Sequence, residues 1–174
     1  MDNFIDYIKE TIGNKELVIA EIGVRSGENA IRFLEQLPVK QLFLIDNYLP
    51  YLDTGSYVTQ ERQDKYYQEM FHKLLPQYEK TILVTLESEK ASRLFPDEFF
   101  DLVYIDANHE EYFVKRDIDL WWTKVRQHGI MTGHDSDVSG VFAAIDYFLS
   151  NNSVHCKIYP DNEWAIYKKV EQHV

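Results

Sequence analysis

The segment LVIAEIGVRSGENAIRF, Leu17 to Phe33, constrains the fold more than any other part of the chain. Val18, Ile19, Ala20 and Ile22 form a short, nearly unbroken apolar run, the pattern of a strand buried on both faces. Ala30, Ile31, Phe33 and Leu34 then fall at helical spacing. The segment therefore reads as strand, tight loop and helix.

The loop is Glu21-Ile22-Gly23-Val24-Arg25-Ser26-Gly27. Gly23 can take a positive φ or admit a ligand against bare backbone, and Ser26 is suited to cap the helix. Gly27 would let the first helical turn approach the strand and a ligand closely. An open helix N-terminus offers unpaired N–H groups to an electron-rich ligand. The spacing is G-x-x-x-G rather than the dinucleotide G-x-G-x-x-G, which favours an adenosine ligand without a pyrophosphate. A glycine-containing turn with no ligand is the alternative.

Further along, Gln41–Ile45 reads as a second buried strand ending in Asp46, where an acidic side chain can accept both hydroxyls of a ribose. Asn47 to Thr59 reads as a loop whose Tyr48, Tyr51 and Tyr57 can wall a pocket. Glu61–Leu75 is expected to be a helix with Tyr66, Tyr67, Met70, Phe71, Leu74 and Leu75 on its core face. Thr81–Leu86 is a third strand. Glu87 and Ser88 at its tip suit either an adenine edge or a helix cap. Asp101–Asp106 is a fourth strand, and a helix bearing Trp121, Trp122 and Val125 runs toward Gly129. Ile130–Gly133 is a fifth strand with His134-Asp135 at its tip. Val138–Leu149 is a helix, and Val154–Tyr159 and Glu163–Lys169 form a hairpin about Pro160-Asp161-Asn162. With a short helix over residues 2–12, the whole is an α/β doubly wound sheet, mainly parallel, with an antiparallel C-terminal strand.

Composition excludes several classes. A 45% hydrophobic and 14% aromatic content argues against disorder, and a formal charge of −11 argues against a nucleic-acid partner. Cys156 is the only cysteine, so no intramolecular disulfide forms. No apolar run is long enough to span a membrane, and Asp2, Asp6, Lys9 and Glu10 break up the first residues, so a cytoplasmic location is expected. Trp121 and Trp122 point different ways on one helix, so one of them either marks a homo-oligomer interface or is covered by a neighbouring helix.

The EIGVRSG loop, Asp46, the IDANHE segment and the terminal hairpin together resemble class I S-adenosylmethionine-dependent methyltransferases, which share a Rossmann-like sheet. More narrowly, Asp101 to Asp135 resembles a small bacterial group with ID-x-x-H and HD motifs, similar to macrocin-type sugar O-methyltransferases. The resemblance implies one such domain over residues 1–174 and S-adenosylmethionine as cofactor. Glu21, Gly23, Gly27, Asp46, Glu87, Ser88 and Asp106 would hold that cofactor. It also implies a divalent cation, commonly magnesium, on Asp106, His134 and Asp135. Here the acidic pair of the fifth strand tip is His-Asp, a donor set that also suits a softer metal. The family's base, an acidic residue two positions after the strand-four aspartate, is replaced by Asn108, leaving His109 as the nearby proton acceptor beside Asp106 and Asp135. The expected reaction is methyl transfer to a small-molecule hydroxyl, and the alternative is a non-catalytic cofactor-binding subunit or sensor. A non-haem iron triad and a nicotinamide dehydrogenase are disfavoured, the first by fold and the second by loop spacing and the hairpin.

Overall fold

The computed structural model of the chain describes residues 4–169. A short helix α1 (Phe4–Ile12) precedes β1 (Leu17–Ile22), α2 (Glu28–Gln36) and β2 (Val39–Ile45). Residues 2 and 3 of the expected first helix lie outside the described residues. After β2 come a small hairpin, β3 (Tyr51–Asp53) and β4 (Ser56–Val58), then α3 (Gln60–Leu74), β5 (Thr81–Val84) and α4 (Ser88–Ser92). The chain continues through β6 (Phe100–Ile105), α5 (Glu111–Trp122), β7 (Val125–Gly133) and α6 (Ser139–Asn151), and closes on β8 (Cys156–Ile158) and β9 (Trp164–Tyr167).

Seven strands form one sheet in the order β5-β2-β1-β6-β7-β9-β8. Pairing is parallel from β5 to β7, while β9 runs antiparallel to both β7 and β8. The central strands β1 and β6 are buried almost throughout, as their unbroken apolar runs require. One core layer packs Phe4, Ile8, Phe33 and Met70 on one face, and the other packs Ile118, Trp121, Ile145 and Phe148 on the opposite face.

Register sets the functional edge. Ile22 lies opposite both Ile45 and Ile105, Ile45 opposite Val84, and Ile105 opposite Gly133. The next residue of each strand, Gly23, Asp46, Asp106 and His134, therefore emerges at one level, and each backbone N–H still bonds to a neighbouring strand.

Several elements depart from the sequence reading. Asn47–Thr59 is not all loop, because Tyr51–Asp53 pairs with Ser56–Val58 across Thr54-Gly55, both at positive φ. Val125 starts β7 rather than extending the preceding helix. The polar stretch Arg126–His128 is carried across a register shift against β6, with His128 at φ 62°. On α3 only Met70 and Leu74 of the expected apolar stripe are buried; Tyr67, Phe71 and Leu75 are exposed, and Gln63 is buried instead. Trp121 is core and Trp122 stacks edge-on against Phe148, so α6 covers it.

Candidate active site

The glycine loop is built by close backbone approach. Gly23 sits at φ 85°, and a Cβ there would lie 2.2 Å from the Asp106 carbonyl oxygen. Its bare face thus packs the end of β1 against the end of β6. Beside Gly27, Met70 of α3 lies 3.3 Å from where a Cβ would sit. Ser26 does not cap α2: Gly27 is the cap residue, in the left-handed region, and the Ser26 hydroxyl donates to Glu28.

Asp46 holds the loop. Its Oδ2 accepts from the backbone N–H of Val24 at 2.9 Å and of Arg25 at 3.1 Å, and its Oδ1 accepts from Tyr48 N–H at 2.9 Å. These bonds explain why Arg25 and Tyr48, neither a glycine, are kept at positive φ. Tyr48 is not a pocket wall: it is buried against Tyr67 and donates to the Arg25 carbonyl. Tyr51 and Tyr57 are exposed on the hairpin.

Glu21, the penultimate residue of β1, is 1% exposed, and neither carboxylate oxygen has a hydrogen-bond partner. Burial, with the nearby charges of Asp106, Asp46 and Glu28, pushes its carboxyl well above the ordinary range. A buried acceptor pair without a donor fits a ligand that brings one, such as the ammonium of S-adenosylmethionine.

The other half of the edge gathers acids and imidazoles. Among the described residues, one ligand atom each from Asp106, His134 and Asp135 lies within 4.8 Å of the others. Asp106 accepts from Asn29 Nδ2 at 3.0 Å. Asp135, at φ 58°, lies 3.0 Å from His134 Nδ1. His109 stands across from them. Its Nε2 is 2.7 Å from Asp135 Oδ2, off the N–H axis, and 3.7 Å from Asp106 Oδ1. Its Nδ1 is bonded to Asp53 Oδ2 at 2.7 Å, and its backbone N–H donates to Asp53 Oδ1 at 2.9 Å.

Electrostatics follow from that packing. The carboxylates of Asp106, Asp135 and Asp53 push the His109 pKa up to about 11 against the opposing effect of burial. By distance, Asp135 and Asp53 are its strong partners, and Asp106 contributes charge. The same imidazole, with His134, holds Asp135 well below the usual carboxylate range, and Asp135 in turn raises His134. In this arrangement the surrounding carboxylates favour the protonated form of the His109 imidazole.

The expected adenine-edge residues divide. Glu87 is exposed at the start of α4 and pairs with Lys90 at 3.1 Å. The Ser88 hydroxyl is turned away from the edge: it donates to Asp117 at 2.7 Å and accepts from Trp121 Nε1 at 2.8 Å, joining α4 to α5.

Three residues escaped the sequence reading. Asp53 lay in what read as loop, although the turn signal Thr54-Gly55 marked a hairpin that would present it. Asn29, which orients Asp106, carried no local signal. Gly140 is signalled by its place in the first turn of a helix: a Cβ there would lie 2.2 Å from the His109 carbonyl oxygen, so α6 seats the His109 turn.

The sequence model of the methyltransferase domain family matches residues 20–136. Curated protein sequences give no match. Among solved structures, a Corynebacterium glutamicum protein superposes with a TM-score of 0.69 at 15% identity, over 98% of this chain and 80% of its own. A Staphylococcus aureus protein provisionally described as a caffeoyl-CoA O-methyltransferase gives 0.68 at 15% identity, over 98% and 85%. The TDP-rhamnose 3'-O-methyltransferase of calicheamicin biosynthesis gives 0.60 at 16% identity, over 94% and 77%. At these identities the likeness is one of fold.

Proposed function

Because the chain belongs to the methyltransferase-domain family and is an S-adenosylmethionine-dependent methyltransferase, we propose that it methylates a hydroxyl of a small molecule with a divalent cation at the acceptor. The observation that carries this reading is the convergence of Asp106, His134 and Asp135 on one point with His109 facing them. When bound, S-adenosylmethionine supplies an electrophilic methyl on a sulfonium. Glu21 would receive the ammonium of its amino-acid part, and Asp46, already fixing the loop, would face its ribose.

The remaining roles belong to the chain's own side chains. Asp106, His134 and Asp135 offer two carboxylates and one imidazole, a mixed set suited to manganese as well as magnesium. Asp53 holds Nδ1 of His109, so Nε2 is the nitrogen presented to the reacting edge. With Asp106 and Asp135 committed to a cation, His109 keeps only Asp53 as an anionic partner, and its Nε2 can accept the hydroxyl proton. Gly140 and Asp53 fix the His109 turn from two sides, which is the positioning that an in-line transfer demands.

Calorimetric binding of S-adenosylmethionine, followed by detection of S-adenosylhomocysteine with hydroxyl acceptors in manganese, magnesium or chelator, tests this reading. We expect cofactor binding in every case and turnover dependent on the cation, lost in Asp135→Asn and in His109→Gln. Absence of cofactor binding under all metal conditions would remove the function, and undiminished turnover in both variants would remove the site assignment.

A further inference from the structure

Arg25 and Arg62 stand side by side at the rim of the cofactor edge without an anionic partner. The Arg25 backbone is pinned by Asp46 and Tyr48. Its side chain reaches α3, where Nη2 donates to Tyr66 Oη at 3.3 Å. Arg62, in the first turn of α3, donates from Nε to the same oxygen at 2.6 Å. Both guanidinium carbons also lie over the Tyr66 ring, 5.0 and 5.4 Å from its centre.

This arrangement calls for an anion. The chain has 29 acidic and 18 basic side chains, yet among the described residues no carboxylate lies within ion-pair distance of either arginine. Two cations are held together on one phenol, each through a single nitrogen, and both arginines are exposed. Burial works against it, yet the Arg25 and Arg62 bonds hold the Tyr66 phenol below its ordinary value, a sign of how concentrated the positive charge is. Paired guanidinium forks match the oxygens of a phosphate or carboxylate. The place is specific too: Asp53 of the hairpin bonds His109, and at Tyr51, two residues earlier, burial and the charges of Asp53 and Asp46 raise the phenol while Arg25 works against them. The hairpin is thus in contact with His109 and within the electrostatic reach of Arg25.

We propose that Arg25 and Arg62, bridged by Tyr66, bind an anionic oxygen group, phosphate or carboxylate, carried by the methyl acceptor while its hydroxyl lies at the His109 edge. The acceptor half of this proposal rests on the methyltransferase reading. It also reverses, locally, what a net charge of −11 suggests, namely a neutral or cationic substrate.

The test titrates the full chain with sodium phosphate at constant ionic strength and follows the arginine Nε–H signals by NMR, assigned with Arg25→Gln and Arg62→Gln. Saturable shifts of both signals are expected, with phosphate affinity falling about tenfold in Arg62→Gln and in Tyr66→Phe. Shifts that never saturate, or equal affinity in Arg62→Gln, overturn the site. Calorimetry with S-adenosylhomocysteine and with methylthioadenosine, which lacks the carboxylate, separates the two sources of anion. If Arg62→Gln weakens the first and spares the second, the pair holds the cofactor's carboxylate and the acceptor assignment falls. If neither nucleoside binds the wild type, the methyltransferase reading and the acceptor assignment fall together, and the phosphate titration alone decides whether an anion site exists.

Discussion

Gly23→Ala tests whether the cofactor edge is assembled by backbone contact. At φ 85° an alanine incurs about 1–2 kcal/mol for the left-handed conformation. Its Cβ would also meet Asp106 O at 2.2 Å and Ala107 Cα at 2.6 Å, where real Cβ contacts do not fall under 3.0 Å. Both obstacles are backbone, so β1 and β6 must separate at their tips, an overpacking cost of about 1–3 kcal/mol. The total of about 2–5 kcal/mol corresponds to a melting-temperature drop of roughly 5–15 °C for a chain of this size. Gly13→Ala and Gly55→Ala are the controls, because both sit at positive φ, 75° and 81°, with nothing within 4 Å of the added carbon. They should lose only the conformational part, about 1–2 kcal/mol. Differential scanning calorimetry of the three variants without ligand decides the matter. A Gly23→Ala melting temperature within the range of the two controls would show that the loop yields freely and that the Gly23 contact with Asp106 does not hold the edge together.

Glu21→Gln should raise thermal stability without ligand, since it removes a buried carboxyl lacking partners, and should weaken S-adenosylmethionine binding about tenfold; parallel melting and calorimetry check both signs. Asp117 is buried and its carboxyl titrates at about 6, raised from 3.8 by burial. Its folded pKa exceeds its unfolded one, so the proton it holds favours folding at low pH and that contribution is lost as pH rises through about 6. Asp117→Asn keeps an acceptor for Ser88 and should remove a loss of about 2 kcal/mol between pH 4 and 7, measured by urea unfolding at both pH values. Asp53→Ala leaves the His109 amide without its acceptor and should speed hydrogen exchange of the Tyr51–Val58 hairpin by about tenfold or more, with unchanged exchange counting against the hairpin's attachment.

Strands and their tips were legible because both signals are local. An unbroken apolar run marks a strand buried on two faces, and the residue that ends it must emerge at the sheet edge; Asp46, Asp106 and His134 follow from that rule. What was missed depends on distant partners or on competing local patterns. The start of β7 is polar and bulged, so its period is broken where it pairs with β6. The α3 stripe has helical spacing, but α2 and β2 cover only a narrow band of it, and Phe71 and Leu75 fall outside that band. Ser88 looked like an edge residue by position, and only Asp117 and Trp121, on another helix, show where its hydroxyl goes.

The protonation of His109 and the occupancy of the acidic cluster are two faces of one charge balance. Asp53, Asp106 and Asp135 place three carboxylates around a single imidazole, and like charges at that spacing need a cation among them. In this structure the group they favour in a cationic form is the His109 imidazole. A divalent ion on Asp106, His134 and Asp135 would draw on two of the same three carboxylates, so its binding and the His109 proton oppose each other, and one drives off the other. Asp53 lies outside the metal group and on the far nitrogen, so it stays with His109 in either state and keeps the tautomer fixed. Under the proposed function, His109 would therefore act as a base only with the cluster filled. That would tie activation of the proposed acceptor to the ion proposed to bind beside it.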